Sequence, residues 1–279
     1  MPSSPTPAPD FPVAPDHALG GPPAWFRDLV AAEWIKFRSV RSTYWVLLLA
    51  AVPSILIGIL ISQNIASDWA WLSARGFDFD NLLVSFRGFQ FGQLVFGALG
   101  VLVISSEYST GLIRTTFAAV PQRRAVLAAK SAVLGTVALV FGELFAFIAF
   151  FASQAFLHGI GRGQSITDPG ALRAVLCAGF AMAVIALIGT AFGALLRSPA
   201  GAISAMFGLV FILPGAVSGF PSPWNDRIGK FLPSIDIAQL VSRHAEASML
   251  SRPWSFVVLV AYPVVLMGLA AYFLKRRDA

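Results

Sequence analysis

Charge is scarce in this sequence. Asp, Glu, Lys and Arg make up 12% of its 279 residues, about half the share usual in a soluble globular domain. Apolar residues make up 57% and the mean hydropathy is +0.74. A soluble domain cannot hide that much apolar surface, so the composition points to a chain that crosses a membrane repeatedly. It excludes a disordered chain and a water-soluble enzyme. Cysteine is nearly absent too: Cys177 stands alone, so no disulfide forms within the chain. His17, His158 and His244 fall in different segments, which argues against a metal cluster. No G-x-x-x-x-G-K-[ST] loop is present to cradle ATP, and no H-E-x-x-H pair to hold zinc. No pair of carboxylates lies within the apolar runs, which disfavours an intramembrane hydrolase.

The net charge of +6 and the pI near 10.0 would suggest nucleic acid in a soluble protein. In this chain the basic residues flank apolar runs, where they orient spans rather than bind nucleic acid. Residues 1–23 carry eight prolines, no Lys or Arg and no long apolar run. A secretion signal needs both of the missing features, so this stretch is expected to be a disordered cytoplasmic tail.

The gaps between charges mark the spans. Residues 42–67, 88–106, 174–196, 198–225 and 253–274 are free of charge, and residues 131–161 are interrupted only by Glu143. A crossing needs about 20 apolar residues at about 1.5 Å rise each. The expected architecture is all-α, with six transmembrane helices near 44–63, 89–106, 132–155, 173–195, 200–219 and 255–274, making residues 24–279 one membrane domain. Six spans return both termini to one side. That side collects twelve basic residues against eight on the other, packed close to span ends. Both termini are therefore expected to be cytoplasmic.

The connections have patterns of their own. In residues 24–42, Phe26, Val30, Trp34 and Phe37 recur at helical spacing among Arg27, Lys36, Arg38 and Arg41, as in an amphipathic helix lying on the membrane surface. Residues 107–130 join spans two and three. Gly111 and Pro121 bracket a stretch, 112–119, long enough for about two helical turns. Pro121 suits the first turn of the helix that continues into span three. Arg123, Arg124 and Lys130 are placed to hold headgroups. Residues 220–252 are apolar for a loop; Ser234 is a candidate cap for a helix from Ile235, with Ile237, Leu240, Val241 and His244 on one face. The spacings Gly88–Gly92 and Gly189–Gly193 suit close helix packing. Glu143 is the one ionisable group deep in a span, where a charge must be neutralised, paired or wetted. It either lines a translocation path or bonds a neighbouring helix.

Three stretches resemble one family. AEWIKFRSVRSTYW at 32–45 resembles the approach to the first span in permeases of the ABC type 2 exporter class. SSEYSTGLIRTTFAAVPQRR at 105–124 is similar to that family's connection after span two, with Glu107, Tyr108, Gly111, Ile113, Arg114 and Pro121 in order. FLPSIDIAQL at 231–240 resembles its outer segment before the last span. The EAA-type loop of ABC importers is missing, which favours export. The resemblance implies two six-span permease subunits in the lipid bilayer, with ATP and Mg carried by separate ATP-binding subunits and no cofactor on this chain. It also implies that the first amphipathic helix, at Glu33 and Lys36, and the connection carrying Glu107, Tyr108, Gly111, Arg114, Pro121, Arg123 and Arg124 pass motion from the ATP-binding subunit. The competing expectation is a secondary transporter that uses Glu143 for ion coupling.

Overall fold

The computed structural model describes residues 22–276. The Pro-rich tail lies outside them, except that Pro22 and Pro23 open the first helix, a position that suits a residue with no N–H to give.

Among the described residues every regular element is helical. Six helices are long and apolar enough to span: α2 (Arg41–Ser67), α5 (Phe89–Ser109), α7 (Arg123–His158), α8 (Ala171–Leu196), a broken fifth span through α9 (Pro199–Phe207) and α10 (Leu213–Ser218), and α13 (Arg252–Arg276). Each expected span lies on one of them. α1 (Pro22–Ser39) and α6 (Leu112–Ala119) sit at the end of the bundle that carries both described termini. The opposite end carries α3 (Trp69–Ala74), α4 (Asn81–Ser85), α11 (Trp224–Gly229) and α12 (Pro233–Val241). The charge pattern gave no sign of α3 and α4.

α8 forms the centre. It packs against α5, α7, α13, α9 and α12, and its face from Ala171 to Ala194 is buried. The closest crossing, with α5, depends on glycine. A methyl group on Gly189 would strike the Gly97 carbonyl, and one on Gly100 the Ala186 carbonyl. Two backbones approach this closely only where side chains are absent. The Gly189–Gly193 and Gly88–Gly92 spacings both serve packing, the first against α5 and the second against α2 at Pro53 and Ser54.

Two prolines shape their spans. Pro53 has no N–H to give the Leu49 carbonyl, and beside it the Ser54 hydroxyl donates to the Ala50 carbonyl at 2.6 Å. Pro214 has no N–H to give the Val210 carbonyl. The chain before it widens into a π-helical turn, Gly208–Ile212, so the fifth span is not one continuous α-helix. Spans four and five form a tight hairpin: Arg197 ends α8 in the left-handed region, and Ser198 caps α9 on the Gly201 N–H.

Local expectations fared unevenly. Residues 112–119 form α6 as expected. Pro121 does not start a helix, since α7 begins at Arg123. Ser234 is not a cap: α12 begins at Pro233, and the Ser234 hydroxyl is buried without a partner. Ile237, Leu240 and Val241 do share a buried face, but His244 lies beyond the helix and is exposed.

Candidate functional site

The terminal end gathers most of the singled-out residues. α5 ends at Ser109, and Gly111 turns the chain with φ +74, a conformation that other residues adopt only with strain. α6 then runs from the foot of α5. Ile113 is its buried anchor; Leu112 and Arg114 are exposed. Val120–Gln122 return the chain to α7, and Pro121 is exposed in that return. Tyr108 is half-buried on α5, with the Arg197 guanidinium 5.0 Å from its ring centre, so the α8–α9 hairpin is tied to the same corner.

Three helices are joined here by four charges. Lys130 on α7 donates to Glu33 of α1 and to Glu107 of α5, both at 2.7 Å. Lys36 of α1 also bonds Glu107. The Lys130 side chain is 1% exposed and that of Glu107 4%, whereas that of Lys36 is 44% exposed. Two carboxylates and two ammoniums sum to no net charge, which is the condition for keeping ions out of water. Burial pulls the Lys36 pKa down, but the Glu107 hydrogen bond and charge, with help from Glu33, outweigh it and leave it raised. Oxygen Oε2 of Glu107 is buried with no hydrogen-bond partner.

The cluster gathers several of the expected residues. Glu107 and Glu33 face inward and are paired with lysines. Lys130 does not hold headgroups but is the centre of the network. Arg123 and Arg124 turn toward the end of the last span: Arg123 donates to the Leu274 carbonyl at 3.2 Å and Arg124 to the Ala271 carbonyl at 3.3 Å. Cations at a helix C-terminus satisfy its open carbonyls and its dipole. Of the expected contact residues, Lys36, Gly111, Arg114, Pro121 and Arg124 are exposed. On α1, Glu33 faces the bundle, while Phe26 and Trp34 of the expected stripe are exposed. The extended Val40 separates α1 from α2, so α1 is no simple extension of the first span.

The opposite end is held by other means. The Asp80 carboxylate accepts from the Leu82 and Leu83 N–H groups, capping α4, and from the Arg243 N–H at 2.6 Å. Arg173 donates to the Leu240 and Ser242 carbonyls, and Arg252 to those of Ser242 and Arg243. Asp236, on α12, is 1% exposed, and its burial raises its pKa to about 6.

Glu143 lies on α7 where the chain crosses α8. Its carboxyl group rests on Gly179, and Oε2 is buried without a hydrogen-bond partner. No ion pair involves it among the described residues. Among those residues no three His, Cys, Asp or Glu side chains gather as metal ligands.

No model of a known protein family matches the chain, and no curated protein matches it. The six apolar helices decide the class. The chain is a multi-pass membrane protein. Its architecture fits a membrane transport protein.

Proposed function

We propose that the chain is the membrane-spanning permease subunit of an ABC exporter. It pairs with a second permease subunit in the cell membrane, with both termini cytoplasmic, and a separate ATP-binding subunit drives it. The observation that carries the reading is α6. This short helix hangs below two spans by Gly111 and Val120–Gln122, anchored by Ile113, with Arg114 turned outward. A partner pressing on it moves α5 and α7 as rigid bodies. The Lys130 network adds α1 to the same unit, so a push on α1 or α6 reaches three helices together. Arg114 offers a planar fork suited to a carboxylate on the partner. The motifs at 32–45, 105–124 and 231–240 support the same family.

The test uses the tagged full chain purified from its own cells. Mg-dependent ATP hydrolysis is expected to copurify with it, and Arg114→Glu is expected to abolish that activity while the bundle melts as wild type. A wild-type preparation without ATPase, or a variant that keeps it, overturns the reading. Glu143 favours a second reading, a secondary transporter: a buried, unpartnered carboxylate oxygen in mid-span is the kind of group that binds a coupling ion. Transport driven by an ion gradient in vesicles without ATP, and lost in Glu143→Gln, selects it.

A further inference from the structure

A groove of about 460 Å³ opens beside the charged network, between α1, α2, α5 and α6. Its size falls in the range of small-molecule sites. The two halves of its wall differ in chemistry. One half carries Glu33, Lys36, Glu107 and Lys130; the other is apolar, with Phe37, Val46, Leu99, Leu102, Val103 and Val133. From Glu107 to Leu99 the α5 wall runs eight residues, or about 12 Å along the membrane direction. Such a cleft is shaped for a molecule with a charged head and a chain.

The charged half is unequally committed. Lys130 is buried and bonded to both carboxylates, so it is a fixed part of the fold. Lys36 is 44% exposed and makes one contact, to Glu107. Glu107 has a second oxygen that accepts nothing, although it is buried. A ligand ammonium can therefore replace Lys36 on Glu107 and use the spare oxygen. Lys36, once displaced, becomes a cation beside the entrance that a phosphate can satisfy.

We propose that this groove binds a zwitterionic phospholipid with a primary ammonium headgroup. The ammonium takes Glu107, the phosphate takes Lys36, and one acyl chain lies along Leu99, Leu102 and Val103. The four protein charges cancel, so a headgroup that is itself neutral adds no unpaired charge to the buried site. A trimethylated headgroup has the same phosphate and the same net charge but no N–H to give Glu107. The site therefore distinguishes phosphatidylethanolamine from phosphatidylcholine.

Native mass spectrometry of the full chain provides the test. The protein is purified into nanodiscs containing equal amounts of the two lipids, and the lipid that stays bound on release is counted. Phosphatidylethanolamine is expected to be retained about tenfold over phosphatidylcholine, the ratio that one charge-assisted hydrogen bond supplies. Glu107→Gln removes the headgroup partner but also disturbs the Lys130 network. Leu102→Trp is therefore the deciding variant, because it fills the groove without touching an ion. It is expected to bring the ratio to near unity with melting unchanged. Equal retention in wild type overturns the proposal, as does a preference that survives Leu102→Trp. A Leu102→Cys protein that crosslinks to itself in membranes places a second copy in the groove, and overturns it also.

Discussion

The two ends of the bundle solve the same problem differently. Each must fasten helices together where the apolar spans stop. At the terminal end the fastening is charge to charge: Lys130 between Glu33 and Glu107, with Lys36 beside them. At the opposite end it is charge to backbone: Asp80 on three N–H groups, and Arg173 and Arg252 on loop carbonyls. The first arrangement locks long helices to one another. The second orders short helices and loops that have little core of their own. The difference teaches that a buried ion pair and a charged cap fail in different ways. Removing one ion from a buried pair strands the other in a poor medium, while removing a cap leaves neutral groups that water can reach.

Four changes separate these modes, from the largest effect to the smallest. Lys130→Met strands Glu33 and leaves Glu107 with Lys36 alone, and a loss of about 3–5 kcal/mol is expected from thermal unfolding in detergent. The triple change with Glu33→Gln and Glu107→Gln is expected to recover most of it. If Lys130→Met melts as wild type, the network does not hold the fold.

Asp236 comes second. Its pKa is raised to about 6, so the folded state holds its proton more tightly than the unfolded chain does. The stability it contributes is full below the ordinary carboxylate value near 3.8 and is lost as pH rises through about 6. A fall of about 2–3 kcal/mol across that window is expected, flat above it. Melting curves from pH 4 to 7 check it, and Asp236→Asn should remove the slope.

Arg173→Met is third. It leaves the Leu240 and Ser242 carbonyls without their donor, at a cost of about 1–3 kcal/mol. Amide exchange should quicken in residues 233–252 and stay unchanged in α1. Lys36→Met is the smallest. Its partly exposed contact with Glu107 is worth about 0–1 kcal/mol. A large loss here would mean that both lysines are equally fixed, and would erase the contrast with Lys130.

The sequence made the spans legible because charge is excluded from a bilayer at high cost, so the gaps between charges are the helices. α6 was legible for a similar reason: Gly111 and Pro121 punctuate it, although the proline turned out to precede α7 rather than open it. The network was not legible. Lys130 lies 97 positions from Glu33 and 23 from Glu107, and only the packing of α1 and α5 on α7 brings them together. A cation near a span end reads as a headgroup anchor until that packing is known. α3 and α4 escaped notice because one to two turns leave no periodic pattern, and α3 has no capping side chain at all while α4 has only Asp80. The bundle-facing side of α1 was not legible either, because a buried glutamate is invisible without its lysine.

The π-helical turn before Pro214 has a consequence for how this chain tolerates changes in length. A π turn holds one residue more than the α turn it replaces. Loss of a single residue between Gly208 and Ile212 would therefore convert it to ordinary helix rather than break it. Both kinds of turn close the same circle, so everything beyond would keep its direction and nearly its height. Val217 would stay buried, and the loop leading to α11 would leave from the same side. Within the regular spans the same loss would swing all that follows by about 100°, so this is the one place in the fifth span where a residue can be removed without turning the rest.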